Sequence, residues 1–116
     1  MANRRQIGNI YESKAEAYLC DCGYVILERN YYCRYGEIDL IAKSPDGCVV
    51  FVEVKSRSNK RFGSASEALT RTKCEKIKRT SKAYIYEKKL NWDMDYRYDV
   101  ITFQNDQLEH IVHAFY

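Results

Sequence analysis

The chain contains little proline, glycine, histidine or tryptophan. One proline and five glycines among 116 residues exclude a collagen-like or low-complexity composition. The longest apolar run, Cys48 to Val52, is much too short to cross a bilayer, so a membrane-inserted protein is not expected. The composition is 46% hydrophobic, which is enough to build a core, and we expect a single domain over residues 1–116.

Cysteine is present, but its arrangement favours neither disulfides nor zinc. The chain has five cysteines, an odd number, and its first residues lack the apolar run and cleavage site of an export signal. We therefore expect reduced thiols and a cytoplasmic location. Cys20 and Cys22 are separated by a single residue, and His110 and His113 lie far from them along the chain. This spacing does not favour a zinc site.

Charge is unevenly distributed along the sequence. The formal net charge is only +3, but residues 55–89 contain twelve Lys or Arg and three Glu, a net charge of +9. The rest of the chain carries seven basic and thirteen acidic residues, a net charge of −6. Such segregation favours contact between the basic segment and an anionic partner.

The apolar pattern predicts an α/β fold. Apolar residues at three- and four-residue spacing indicate helices, and alternating or β-branched runs indicate strands. The predicted order is helix-strand-strand-strand-helix-strand-strand, in which a helical region starts at Ser64 or Ser66 and runs to about residue 89. Short turns make the first three strands antiparallel, and the long helix permits a parallel crossover to the fourth. We expect a mixed β-sheet flanked by helices, with helix 4–22 and strands 24–32, 37–42, 48–55, 96–104 and 108–115.

Strand alternation brings two acidic residues together. Side chains two apart on a strand share a face, which groups Glu37 with Asp39, Glu53 with Lys55, and Ile38 with Leu40. A hairpin turning at Pro45-Asp46-Gly47 pairs residues whose numbers sum to 92. This register predicts that Asp39 lies directly opposite Glu53, on the face that also carries Lys55.

Two opposed carboxylates repel each other, at a cost approaching about 1 kcal/mol. Lys55 can offset part of that cost, and a divalent cation such as Mg²⁺ can offset more, because Mg²⁺ prefers carboxylate oxygens and retains several waters. A structural salt-bridge cluster is the alternative explanation of the same spacing. Both interpretations stay open on the residues alone.

Several motifs together resemble the YraN-like family of small bacterial proteins. That family is placed in the PD-(D/E)xK nuclease superfamily, with a restriction-endonuclease-like fold similar to that of archaeal Holliday junction resolvases. The resemblance covers almost the whole chain. Its motifs are Gly8-x-x-x-Glu12, Gly23-Tyr24, Asn30-Tyr31, Gly36 to Ala42, Phe51 to Arg57, Phe62-Gly63, Lys73 and Arg97 to Val100.

The resemblance implies a metal-dependent nuclease. By position, Asp39 corresponds to the first aspartate of the superfamily motif, Glu53 and Lys55 to its (D/E)xK, and Glu12 to the acidic residue of the first helix. Asp39, Glu53, Glu12 and the Val54 carbonyl would then hold Mg²⁺ or Mn²⁺, and Lys55 would position water. Ile38 stands where the motif has proline. Related resolvases act as dimers, which makes a homodimer a further expectation.

The basic segment is the predicted binding site for nucleic acid, with DNA, including branched or structured DNA, as the expected substrate. A solubilising helix face is the alternative, and a non-catalytic nucleic-acid-binding protein that retains the fold is the alternative function. Tyr31, Tyr32 and Tyr35 are candidates either for the core or for stacking on unpaired bases. The residues expected to contact phosphates are Arg57, Lys60, Arg61, Arg71, Lys73, Lys76 and Arg79.

Overall fold

Five strands form one mixed sheet whose spatial order follows the chain, β1-β2-β3-β4-β5. The computed structural model describes residues 4–57 and 69–116, with side chains described over 9–56 and 69–116. Strands β3 and β4 are parallel, and every other neighbouring pair is antiparallel. The elements are α1 (Arg4–Asp21), β1 (Val25–Cys33), β2 (Gly36–Lys43), β3 (Val49–Arg57), α2 (Arg71–Glu87), β4 (Tyr96–Gln104) and β5 (Gln107–Phe115).

The predicted order of elements and the predicted strand directions are confirmed. Helix α2 begins at Arg71 because Thr70 caps it, its hydroxyl accepting a 3.1 Å hydrogen bond from the Lys73 N–H. The predicted starting points Ser64 and Ser66 lie outside the described residues. No helix within the described ranges has both the length and the apolarity needed to span a membrane.

The core has two parts, one against each helix. One cluster joins Ala15 and Leu19 of α1 to Leu40, Val50 and Val52 of the sheet. The other joins α2, through residues such as Ile77, Tyr84 and Ile85, to Ile41, Val49 and Phe51. The even and odd residues of β3 therefore face opposite helices, as the alternation predicts. Apolar burial on both faces holds the central strands rigid next to the charged residues that lie midway along them.

Strict alternation of faces fails in the middle of β2. Leu40 packs on the α1 side, but Ile38 joins Ile41 on the α2 side, so the prediction that Ile38 and Leu40 share a face is wrong. The flanking pairs are Arg29 with Leu40 and Tyr31 with Ile38, which brackets Asn30 opposite Asp39. Asn30, opposite Asp39, has a left-handed backbone with φ 52°, which is uncommon for a residue other than glycine.

Candidate active site

The β2–β3 hairpin places Asp39 and Glu53 at the point where the two strands stop pairing. The ladder runs from Lys43 opposite Val49 to Leu40 opposite Val52, which confirms the predicted register. At the next position the Val54 N–H donates a 2.8 Å hydrogen bond to Asp39 Oδ2. The Asp39 side chain thus takes the place of a backbone acceptor for the Val54 N–H. This hydrogen bond fixes the Asp39 carboxylate where the two strands separate.

The two carboxyl groups are buried and close enough to compete for a proton. Asp39 and Glu53 are only 9% and 7% exposed. Burial, followed by the negative charge of Glu53 and a hydrogen bond with it, raises the pKa of Asp39 to about 8. The Val54 hydrogen bond and the Lys55 charge oppose this rise without cancelling it. The pair therefore has a high affinity for positive charge, whether from a proton or from a metal ion.

Two lysines lie beside Glu53. The Nζ atoms of Lys55 and Lys73 are 4.0 and 3.8 Å from Glu53 Oε1, which is within ion-pair range but too long for direct hydrogen bonds. Burial and the neighbouring Lys73 ammonium lower the pKa of Lys55. Lys55 lies where the sequence predicts it. Lys73, predicted as a phosphate contact, also belongs to the carboxylate cluster.

Glu12 approaches the same site from α1. Its Oε1 atom is buried and has no hydrogen-bond partner among the described residues. Burial, and then the negative charge of Asp39, raise the pKa of Glu12. No group of three or more His, Cys, Asp or Glu side chains within the described ranges is close enough to hold a metal ion. The structure thus pairs Asp39 with Glu53 and leaves Glu12 near the pair without completing a three-ligand cluster.

A cleft of ≈ 180 Å³ gives access to the carboxylates, and its lining includes Asp39, Glu53, Lys73 and Lys76. Gly36, where β2 begins, also lines it and has a φ of +155°. A Cβ at this position would lie 3.2 Å from Thr80 Oγ1 of α2. Glycine therefore allows α2 to approach the sheet closely, which keeps its lysines over the cleft.

The remaining predicted phosphate contacts are spread along α2 or lie outside the described part. Arg71, Lys76 and Arg79 are exposed on the helix. Arg57 is the last residue of β3, and its side chain is not among those described. Lys60 and Arg61 also fall outside the described residues. The Val54 backbone lies at the site, and metal binding by its carbonyl stays a prediction.

A second buried charged cluster was not predicted from the sequence. Arg97 donates two 2.9 Å hydrogen bonds to Asp99, and His110 Nε2 lies 2.7 Å from Asp99 Oδ2. The His113 N–H also donates to Asp99, at 3.2 Å. These hydrogen bonds outweigh the effect of burial, which would raise the pKa of Asp99, and so lower it. Its signal in the sequence is the Arg97–Asp99 spacing, which places both charges on one face of β4, but its other partners, His110 and His113, lie on β5.

The fold and the first cluster define a mixed α/β protein with opposed carboxylates and an adjacent lysine at the open end of a hairpin. A family model described as "Uncharacterised protein family UPF0102" matches residues 11–103, and the chain belongs to this family. It is 42% identical to a UPF0102 protein of Sulfurihydrogenibium sp. over 97% of this chain and 96% of that protein. UPF0102 proteins of Clostridium tetani and Vibrio parahaemolyticus are 50% and 44% identical, over 84% and 86% of this chain and 78% and 82% of their own lengths.

Proposed function

We propose that this protein hydrolyses phosphodiester bonds in nucleic acid, with DNA as the first substrate to test, and that it depends on Mg²⁺ or Mn²⁺. We also propose that its sheet belongs to the restriction-endonuclease-like class and its site to the PD-(D/E)xK type. The observation that carries the proposal is the buried Asp39–Glu53 pair beside Lys55. A protein built for stability alone would seldom oppose two buried carboxylates, because each must lose its water.

The residues fit a divalent cation. Mg²⁺ is commonly bound through one or two carboxylates, which Asp39 and Glu53 supply, and the unpartnered Oε1 of Glu12 offers a further oxygen from α1. When bound, the ion would supply positive charge to the phosphate and lower the pKa of a bound water. The raised pKa values of Asp39 and Glu12 have the same origin as this affinity, since unbalanced negative charge attracts protons and metal ions alike.

The lysines have separate roles in the proposed reaction. Lys55, whose ammonium lies 4.0 Å from Glu53 Oε1, is suited to hold and orient the attacking water through its N–H donors. Lys73, 38% exposed and still 3.8 Å from Glu53, can reach toward the cleft and stabilise negative charge on the phosphate. The exposed Lys76 and Arg79 would bind the nucleic-acid backbone beyond the cleft.

A cleavage assay tests the proposal. Linear and branched DNA would be incubated with Mg²⁺ or Mn²⁺ and with wild type, Asp39→Asn or Lys55→Ala. We expect cleavage by wild type and a loss of at least about a hundredfold in each variant. Asp39→Asn preserves an acceptor for the Val54 N–H, so its loss of activity would not reflect a disrupted hairpin.

Matched controls outside the site are Asp93→Asn and Lys43→Ala, which replace exposed residues. They should cleave like wild type. Equal activity in wild type and in both site variants would mean that a contaminant cleaves the DNA and would overturn the proposal.

A non-catalytic nucleic-acid-binding protein is the alternative function. Two lysines already offset the negative charge of Glu53 without a metal ion, which favours this alternative. It is also favoured because no three His, Cys, Asp or Glu side chains within the described ranges are grouped closely enough to hold a metal ion. It predicts salt-sensitive binding without turnover. Calorimetric titration of Mn²⁺ into the protein, alone and with DNA, separates the two functions, because nucleic-acid binding without catalysis needs no ion.

The homodimer and the cytoplasmic location stay predictions, the latter supported by five free cysteines.

A further inference from the structure

Three clefts that share lining residues follow α2 away from the carboxylates. The site cleft shares Lys76 with a second cleft of ≈ 370 Å³, which in turn shares Tyr35 and Arg79 with a third of ≈ 660 Å³. Lys73, Lys76, Arg79, Lys82 and Tyr86 follow one another at three- and four-residue spacing, so they wind from the flank of α2 beside the site to its solvent side. They span about 20 Å of the helix.

The far cleft differs chemically from the acidic site. It is lined by three aromatic rings, Tyr35, Tyr86 and Trp92, together with Arg79, Lys82 and Ala83. The rings are unusually exposed, with relative accessibilities of 38% for Tyr35, 79% for Tyr86 and 57% for Trp92. Exposed aromatic rings interleaved with cations are typical of surfaces on which successive unpaired bases stack while phosphates contact lysine and arginine.

We propose that this aromatic cleft binds the bases of an unpaired strand, so that the substrate is a nucleic acid whose single-stranded segment adjoins the phosphodiester at the carboxylates. The proposal rests on the proposed function, because it names the substrate class of that same site. Three observations support it. The cleft is linked to the site through an intermediate cleft that shares lining residues with both, its cations complement phosphate, and its rings can stack only on base faces that a paired and stacked duplex does not offer.

The neighbouring residues favour this occupant. The Arg34 guanidinium lies over the Tyr35 ring, 4.9 Å from its centroid, and extends the positive charge around the aromatic surface. Tyr31, by contrast, is buried, packs edge-on against Tyr84 at 5.0 Å and donates a hydrogen bond to Glu87. Of the three tyrosines that the sequence analysis considers together, Tyr31 belongs to the core and Tyr35 lines the cleft, whereas Tyr32 is exposed and lines none of these three clefts.

Trp92 reports directly on the cleft because it is the only tryptophan in the chain. Its fluorescence would be measured during titration with single-stranded oligothymidylate of about 12 nucleotides and with a duplex of the same length, both in EDTA. We expect saturable quenching by the single strand, weakened by salt, and at least tenfold weaker binding of the duplex.

Tyr86→Ala should weaken single-strand binding by roughly five- to a hundredfold, measured by the same quenching. Trp92→Ala, measured by anisotropy of a labelled oligonucleotide, should show a loss of similar size. The matched control is Tyr116→Ala, since Tyr116 is 84% exposed and lies outside the three described clefts. It should bind like wild type, and circular dichroism of each variant would establish that it is folded.

Several results would overturn the inference. One is equal affinity for duplex and single strand, and another is unchanged binding by Tyr86→Ala and Trp92→Ala. A third is a mononucleotide that binds as tightly as the strand. The fourth is Trp92 emission that changes with protein concentration alone. The last would mean that a second copy covers the cleft. Because binding is measured without metal, strand binding without cleavage would contradict only the proposed function. Metal-dependent cleavage that Trp92→Ala leaves unchanged would contradict only this inference.

Discussion

Asp39 and Asp99 are both buried aspartates on central strands, and their surroundings are opposite. Asp99 accepts hydrogen bonds from Arg97 and from the His113 backbone and lies 2.7 Å from His110 Nε2. Asp39 accepts one backbone hydrogen bond and faces another carboxyl group. The pKa of Asp99 is lowered and that of Asp39 is raised. A satisfied buried charge connects elements of the fold, whereas an unsatisfied one can bind something from outside.

The positions of the two clusters agree with this contrast. The Asp99 cluster includes His110, whose Nδ1 lies 2.9 Å from the Tyr18 hydroxyl, and Arg97 donates a 2.7 Å hydrogen bond to the Tyr24 hydroxyl. It therefore ties β4 and β5 to α1 and to the start of β1. The Asp39 cluster instead lines a cleft. One cluster therefore connects elements of the fold, and the other opens on a cleft.

Asp99→Asn should have the largest effect on stability. It removes the negative charge between Arg97 and His110 and leaves buried donors without a full partner. We expect the free energy of unfolding to fall by about 3–5 kcal/mol, measured by urea denaturation. Asp106→Asn, which replaces an exposed acid paired with Lys14 at 3.7 Å, should change it by no more than about 0.5 kcal/mol. A small loss of stability in Asp99→Asn would mean that Asp99, like Asp39, does not stabilise the fold.

Divalent metal should stabilise the protein through the other cluster. Mn²⁺ at about a hundred times its dissociation constant should raise the free energy of unfolding by about 2.7 kcal/mol. Asp39→Asn should abolish this increase, and Asp106→Asn should preserve it. Thermal unfolding with and without Mn²⁺ is the measurement. If Mn²⁺ stabilised Asp39→Asn as much as wild type, the ion would bind at another site.

Asp39→Asn alone should stabilise the metal-free protein near neutral pH, by about 1 kcal/mol, because it removes carboxylate repulsion. The pKa of Asp39 rises on folding from near 3.8 to about 8, so the folded state binds more protons between these values. Wild-type stability therefore declines as the pH rises through that range. The advantage of Asp39→Asn should grow with pH and vanish near pH 4, as denaturation in metal-free buffers would show.

The contribution of Asp99 to stability should depend on pH in the opposite direction. Its pKa is lowered in the folded protein, so its contribution is present above the pKa of the unfolded chain and is lost as the pH falls below it. The two aspartates therefore predict slopes of opposite sign, for Asp39 above pH 3.8 and for Asp99 below it. If Asp39→Asn lost stability relative to wild type as the pH rose, Asp39 would be a satisfied structural charge.

Tyr18→Phe should give the smallest effect. It deletes one hydroxyl that forms a 2.9 Å hydrogen bond with His110 and should lower the free energy of unfolding by roughly 0.5–1 kcal/mol. Mn²⁺ affinity should not change, because Tyr18 belongs to the Asp99 cluster. Tyr116→Phe is the matched control. A change in Mn²⁺ affinity would show that the two clusters are coupled.

The β2–β3 part of the site could be predicted because its geometry is local. A tight turn at Pro45-Asp46-Gly47 sets the register, and the register brings Asp39 level with Glu53 on the neighbouring strand. The Asn30 irregularity and the displaced Ile38 could not be predicted, since a left-handed residue within a strand depends on its partner strand. The proximity of Glu12 was implied only by family resemblance, because nothing in the spacing of α1 relates it to β2.

Long-range contacts made the remaining arrangement unpredictable. Tyr18 and His110 are 92 positions apart, and Arg97 and Tyr24 are 73 apart, so no local pattern connects them. The aromatic cleft likewise combines Tyr35 from the β1–β2 turn with Tyr86 from α2 and Trp92 from the loop before β4. Only the packing of α2 on the sheet brings them together.

The order of elements, the strand directions and the hairpin register were determined by sequence alone, because they depend on periodicity and turn chemistry between near neighbours. Only the tertiary structure decided which buried acid is satisfied and which is not. Desolvation and charge pairing act through space, and the partners of a carboxyl group come from whichever elements fold against it.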